Sequence, residues 1–478
     1  MERAIPTSIS AEMAEQARWQ LRPQYAGIDW FTQLIPNEFS AEPERDARLV
    51  RALKTLLSLA GDTVPHYQEL FRARGFAPER LTAVADLDRL PILGKAELVA
   101  NPETFRALRQ PSGNPVVVDT SSSGTTGRPV RVYQALSWVS ANHLMYQRQY
   151  RWFRYDPRYV FASIRAAAQL PPAADGQPLA PGRTGRYAVW PRIGSYFETG
   201  PYLTFSLANG VEERLAWLAE HAVDYLVAYS DSLEYLAIAG GGQPRHQLRG
   251  VTAISEVLTP HMRTLVEAGL CTRVNQNYGL NEAGLVASKC PEGNRYHVHI
   301  EHCLVEIVDA GGSPCAHGET GRILVTVLTN PAMPLIRYDT DDLAVCLRDP
   351  CPCGRTLPSF GEVIGRYSRV AFLPPGTMAR VGALREALAT APLPWLRNLT
   401  RYRIHQYRDG GVELRLQACG PLPDALIERL AAAWPADPPP PMPLTIRQVG
   451  DIPVAPGGKH QDFTSEHFPP IAGPADSA

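Results

Sequence analysis

The residues best suited to chemistry in this 478-residue chain lie in four short segments. The first is Thr120-Ser121-Ser122-Ser123-Gly124-Thr125-Thr126-Gly127-Arg128-Pro129, a run of hydroxyl and glycine residues after a strand-like stretch. Glycines let the backbone approach a ligand, and successive N–H groups form an anion-binding nest. The Ser and Thr hydroxyls add donors, and Arg128 adds a charge suited to phosphate oxygens. The G-x-x-x-x-G-K-[ST] spacing of a Walker loop is missing, and Pro129-Val130-Arg131-Val132-Tyr133 continues as strand where a Walker loop would open a helix. A serine-rich linker has a similar composition, but linkers rarely sit tightly between two strands.

The second segment is Asn277-Tyr278-Gly279-Leu280-Asn281-Glu282, where the Glu282 carboxylate suits Mg²⁺, the companion of a nucleoside triphosphate. The third is Arg337-Tyr338-Asp339-Thr340-Asp341-Asp342, with Gly365-Arg366 after it. A carboxylate there can accept two ribose hydroxyl protons and an arginine can cover phosphate; otherwise these acids make a solvated turn. The fourth is Pro456-Gly457-Gly458-Lys459, a lysine on a glycine turn able to swing its ammonium into a cleft. An exposed surface lysine is the commoner fate of such a residue.

A further set suits metal. Cys351 and Cys353 flank Pro352 before a turn at Gly354-Arg355, and Cys290 lies upstream with His297, His299 and His302 just after it. Three thiolates and one imidazole make a closed tetrahedral zinc site, structural because no coordination position stays open.

These segments must be positioned by a large scaffold. Hydrophobic residues make up 45% and charged residues 20%, a folded composition of two to four compact units by length. The net charge of −1 argues against a nucleic-acid or anionic-membrane binder. The N-terminus lacks a signal-peptide pattern and no apolar run approaches a membrane span, so a cytoplasmic protein with reduced cysteines is expected. Leu49, Leu53, Leu56 and Leu57 fall on one helical face. From about Asn114 short apolar runs such as Pro115–Thr120 and Arg322–Val327 alternate with helical stretches, the texture of an α/β domain. Beyond Gly365 the pattern gives a strand at Val370–Leu373, a helix over Val381–Ala391 and a strand over Arg401–Arg408. It then gives a strand from Val412, a helix over Asp424–Trp434 and a strand over Leu444–Val449, an α+β unit of ferredoxin-like order. The expectation is a large multilayer α/β domain over 1–364 and a small mobile α+β cap over 365–478.

In this order, the segments resemble the adenylate-forming superfamily and, within it, the phenylacetate–CoA ligase family. Thr63-Val64-Pro65-His66-Tyr67, Asp88–Lys95, Gly318–Arg322, Pro334–Tyr338 and Cys351–Pro358 add to the likeness, which covers nearly the whole chain. The resemblance implies an ATP- and Mg²⁺-dependent enzyme that makes an acyl-adenylate from a small carboxylic acid. It assigns Ser121, Ser122, Ser123, Gly124, Thr125, Thr126 and Gly127 to the β- and γ-phosphates. It sets Tyr278 beside the adenine, counts Gly279 among the nucleotide-binding residues, and puts Asn281 at the α-phosphate and Glu282 on Mg²⁺. Asp342 would bind the ribose, Arg366 would lie near ribose and phosphate, and Lys459 would orient the substrate carboxylate. For zinc it singles out His297 to join Cys290, Cys351 and Cys353.

The chain departs from the family pattern at one site residue and along the hinge segment. Asn281 stands where Ser or Thr is usual and still donates a hydrogen bond. Ser368 replaces a hinge aspartate, and Leu373–Arg380 replaces the run that helps form the thiol-acceptor side. The favoured acceptor is therefore an amino acid amine, giving an amide as in coronafacate ligase-type enzymes, with CoA as the alternative. Trp190, Tyr196, Phe197 and Tyr229 fall between the nucleotide segments, either to line a pocket for an aromatic or cyclic acid or to pack the core. A non-enzymatic nucleotide-binding remnant is the competing class, and it would need neither Glu282 nor Lys459.

Overall fold

The structure, a computed structural model, describes residues 9–25, 29–121, 130–172, 176–241, 246–254, 258, 260–366, 377–396, 398–434, 442–453 and 463–467. Its contacts divide the chain into two compact units, 1–154 with 277–367 and 155–276 with 368–469.

The first unit is a helical N-terminal layer on an antiparallel sheet. The helix Glu42–Thr63 buries Leu49, Leu53, Leu56, Leu57 and Ala60, the face expected from the leucine spacing. It stops at Val64, whose extended backbone is what the following Pro65 requires. Strands Cys303–Val308, Thr320–Val327, Tyr338–Leu347, Ser359–Arg366, Tyr296–Val298, Gly284–Lys289 and the end of Val274–Leu280 lie side by side, antiparallel throughout. A separate hairpin pairs Val116–Ser121 with Arg131–Ala135, so both strands expected around the serine-rich run are present.

The second unit carries a parallel sheet of Tyr202–Ser206, Phe161–Arg165, Tyr225–Tyr229, Gly250–Ile254 and the start of Val274–Leu280. Its strands are buried nearly throughout, as parallel strands covered on both faces must be. Residues 368–469 add the sheet Leu444–Val449, Val412–Ala418, Leu399–Gln406 and Phe463–Ser465 with helices Thr377–Ala389 and Asp424–Ala432. Helix Asp424–Ala432 joins Val412–Ala418 to Leu444–Val449, which are parallel neighbours. The strand expected at 370–373 lies outside the described residues. Ile238 and Leu265 share one apolar core with Val381, Leu384, Leu388 and Leu399, which is why 155–276 groups here with the C-terminal residues and not with the rest of 1–364. Among the described residues no helix is long and apolar enough to cross a membrane.

Candidate active site and metal cluster

Strand Val274–Leu280 runs antiparallel to Gly284–Lys289, and the turn between them presents Asn281 and Glu282. Asn281 is exposed, and its backbone oxygen accepts from Gln134 Nε2 at 2.9 Å. Glu282 is 6% exposed, and among the described residues its carboxylate has no hydrogen-bond or ion-pair partner. A buried carboxylate normally finds one, so this side chain has the chemistry to take a hard cation.

Tyr278 is buried, and its hydroxyl lies 2.8 Å from Asp342 Oδ2 and 3.1 Å from Thr340 Oγ1. Two of the segments singled out in the sequence therefore meet through a side-chain hydrogen bond. The acids of the third segment divide their work. Asp339 is tied to Arg322 at 2.6 Å and accepts from the Asp341 N–H, while half-buried Asp342 faces Tyr278. Arg337 is also internal: it pairs with Glu306 at 3.0 Å and Asp88 at 3.2 Å and donates to the Leu90 carbonyl. The backbone of Arg366 pairs with that of Asp342 across the strands. Residues 122–129 and Lys459, with the phosphate and carboxylate roles expected of them, lie outside the described residues, as does the side chain of Ser121.

The cysteine set converges. The ligand atoms of Cys290, His297, Cys351 and Cys353, all buried, lie within 4.8 Å of one another. Cys290 and Cys351 sulfurs are 3.7 Å apart, and Cys353 Sγ is 3.3 Å from His297 Nε2. A tetrahedral ion with metal–sulfur bonds of about 2.3 Å sets its sulfurs about 3.8 Å apart, whereas a disulfide needs about 2.05 Å. His297 Nδ1 faces the Leu357 carbonyl at 3.3 Å, which fixes the proton there and turns the Nε2 lone pair toward the sulfurs. The Glu292 and Arg355 N–H groups each point at a sulfur from 3.4 Å. Gly293 is needed for space: a Cβ there would sit 2.8 Å from Cys351 Sγ. Shared hydrogen bonds with the neighbouring cysteines lift the Cys290 thiol and depress that of Cys353, so negative charge collects beside His297. His299 and His302 have other work. His299 Nε2 is 2.9 Å from Ser288 Oγ, and His302 bridges Thr329 Oγ1 and the Ala283 carbonyl, each at 2.7 Å.

No family model matches the chain. It is 28% identical over 327 residues to the phenylacetate–coenzyme A ligase of Thermus thermophilus, covering 66% of this chain and 68% of that relative. It is 28% identical over 347 residues to the phenylacetate–coenzyme A ligase of Aromatoleum evansii, covering 70% of this chain and 73% of the relative. A crystal structure of 2-hydroxyisobutyryl-CoA ligase, in the postadenylation state with R3-HIB-AMP, shares the fold at TM-score 0.68 and 15% identity, covering 90% of this chain and 91% of that one. Over about two thirds of its length the chain is thus similar to phenylacetate–coenzyme A ligases, and its fold is that of the 2-hydroxyisobutyryl-CoA ligase structure.

Behind the cysteine set lies a buried ionic network that sequence reasoning missed. Glu38 receives Arg148 and Arg355 at 3.1 Å each, Arg151, and the Trp152 indole N–H at 2.9 Å. Glu301 pairs with Arg148 at 2.7 Å, and Glu12 with Arg151 and Arg355. Burial lifts the Glu38 carboxyl above its ordinary range while Arg148 and Arg355 pull it back. The one sequence clue was Arg355, two residues from a metal-type cysteine. Trp190, Phe197 and Tyr229 are fully buried: Trp190 packs on Phe161 with its N–H on the Tyr159 carbonyl, a core role.

Proposed function

We propose that the protein activates a small carboxylic acid with ATP, releasing pyrophosphate, and passes the acyl group from the adenylate to a second nucleophile. Asp342 takes the ribose, Glu282 takes Mg²⁺, and Ser121–Gly127 with Arg366 hold phosphate. Lys459 orients the acid's carboxylate, whose oxygen attacks the α-phosphorus as the bond to pyrophosphate breaks. The observation that carries this reading is the meeting of Tyr278 with Asp342, beside a strand turn where the buried Glu282 carboxylate has no partner among the described residues. Such an in-line displacement depends on positioning and on cations placed where charge develops. The functional division is a body over 1–364 and a mobile cap over 365–478 that closes for adenylation and turns for transfer. Zinc at Cys290, His297, Cys351 and Cys353 is structural, a reading supported by its all-protein donor set. A cytoplasmic setting suits such reduced thiolates.

For the acceptor, the relatives' names weigh toward coenzyme A. The amine reading rests on sequence alone: Ser368 and Pro374-Pro375, where two prolines fix the backbone and remove N–H donors, lie outside the described residues. An aromatic or cyclic acid remains the proposed substrate. Trp190, Phe197 and Tyr229 are committed to the core and do not carry that choice.

Pyrophosphate exchange across a panel of carboxylic acids tests the activation step, and no exchange with any acid defeats it. The accepted acid is then offered CoA and, separately, amino acids; the product, thioester or amide, decides the acceptor. Lys459→Ala is expected to slow adenylation on the order of a hundredfold or more while ATP binding persists. A variant that adenylates at the wild-type rate makes Lys459 a surface residue.

A further inference from the structure

We infer that Tyr278 is a positioning residue whose hydroxyl sets the Asp342 carboxylate for the two ribose hydroxyls, so that selection of a ribonucleotide depends on a phenol that does not itself touch the sugar. The inference rests on the ribose reading of Asp342 given above.

The phenol has one proton, and two oxygens of the described residues lie within its reach, Asp342 Oδ2 at 2.8 Å and Thr340 Oγ1 at 3.1 Å. Thr340 Oγ1 donates to the Ile323 carbonyl at 3.0 Å and accepts the Asp342 N–H at 3.2 Å. The carboxylate is the nearer acceptor and the charged one, so the phenol proton goes to Asp342. Thr340 meanwhile fixes the backbone that carries that carboxylate.

The local chain is shaped for this. The register runs Leu324↔Asp339 and then Arg322↔Leu343, so Thr340, Asp341 and Asp342 bulge out opposite Ile323. A bulge of this kind re-aims a side chain. Asp341 sits at φ +65°, a left-handed conformation costly for a residue with a Cβ, and its N–H is capped by Asp339 Oδ1 at 2.9 Å. Asp339 is in turn held by Arg322.

The phenol is equally fixed. Tyr278 and Phe360 meet nearly at right angles with centroids 5.7 Å apart, Phe360 stacks on Tyr296 at 5.4 Å, and the Lys289 ammonium lies over Tyr296 at 4.8 Å while pairing with Glu362 at 2.6 Å. The hydroxyl is thus delivered by a packed aromatic series, and a carboxylate fixed in plane accepts two hydroxyl protons without first being ordered.

The test compares ATP with 2′,3′-dideoxy-ATP in pyrophosphate exchange for wild type, Tyr278→Phe and Asp342→Asn. Phenylalanine keeps the ring and its contact with Phe360. Tyr278→Phe is expected to raise the KM for ATP roughly tenfold with kcat unchanged, the worth of one hydrogen bond to a charged group. The KM for the dideoxynucleotide should stay put, so the preference for ATP shrinks by the same factor. An equal rise for both nucleotides means the ring merely packs and overturns the inference, as does no change for either. If Asp342→Asn abolishes the preference while Tyr278→Phe keeps it, the positioning role alone fails. If Asp342→Asn keeps the wild-type preference, the ribose reading fails and takes the inference with it. A second pair guards against misfolding: Asp341→Gly, at ease at positive φ, should keep the preference and Asp341→Val should lower it. The reverse order overturns the role given to the bulge.

Discussion

The antiparallel pair Tyr338–Leu347 and Ser359–Arg366 ends in two different kinds of site. At one end Asp342 lies opposite Arg366; at the other Leu347 lies opposite Ser359, and the turn between them carries Cys351 and Cys353. At strand rise, these ends are only about 17 Å apart. The cysteine end is closed: its buried ligands answer one another, and backbone N–H groups point at its sulfurs. The aspartate end is open: Asp342 is half-buried, Asp341 is strained, and Glu282 nearby in the same unit is buried without a described partner. Phe360, one residue in from Ser359, sends its ring to Tyr278 and so links the two ends. A group meant to hold the fold is satisfied within the protein, whereas a group meant to bind is held in place and kept partly open to solvent.

The strongest way to break this contrast is at the closed end. Cys353→Ser removes the sulfur on which negative charge collects and unmakes the donor set. Wild-type protein is expected to carry about one zinc per chain, as a closed tetrahedral set of four protein ligands would hold. The variant should lose it together with cooperative unfolding of the region, because metal binding at a structural site is folding free energy. Metal analysis and hydrogen exchange over residues 284–303 check both. Metal-free wild-type protein of unchanged stability would erase the distinction.

A milder attack is Glu38→Gln. Arg148, Arg151 and Arg355 converge on this carboxylate, and the backbone of Glu38 accepts the Thr356 N–H at 2.8 Å, joining the N-terminal helices to the cysteine turn. Leaving buried guanidinium groups without their counter-charge costs on the order of 3–5 kcal/mol. Urea unfolding should show a loss of that size with the zinc content kept, since no metal ligand is altered. A change within experimental error would mean that Glu12 and Glu301 carry the network.

The contrast also marks what was legible in the sequence. The leucine face of Glu42–Thr63 and the alternation in Val412–Ala418 were plain, because periodicity records one neighbouring layer. Strand Leu444–Val449 fell at the expected bounds, and helix Thr377–Ala389 began four residues earlier than expected and ended two earlier. The cysteine set was legible through donor type, and the resemblance singled out His297 among three histidines, the one found in the cluster. The Glu12, Glu38, Arg148, Arg151 and Arg355 network was not, since its partners lie 110 to 343 residues apart and each alone looks like a solvated charge. The phenol–carboxylate contact was missed for a related reason. Tyr278 and Asp342 were each assigned to the nucleotide, and nothing in a linear sequence says that two such residues touch.

The smallest effect concerns the open end, where the turn carrying Glu282 is anchored by a neutral histidine. His302 Nε2 donates to the Ala283 carbonyl, and in the neutral ring Nδ1 accepts from the Thr329 hydroxyl. Burial lowers its pKa to about 4 from an ordinary 6.5. A base whose folded pKa is depressed contributes stability above its unfolded pKa, and that stability drains as the pH falls toward the folded value, because the unfolded chain takes up the proton first. Between pH 7 and pH 5 this one ring should therefore cost about 2 kcal/mol. His302→Gln cannot titrate. It should be less stable than wild type at pH 7 for want of the second hydrogen bond, yet lose less on acidification, so that the two urea-unfolding curves draw together by pH 5. Parallel pH profiles would mean that the ring is already charged in the folded protein, and the open end would then hold a cation where the structure shows a neutral brace.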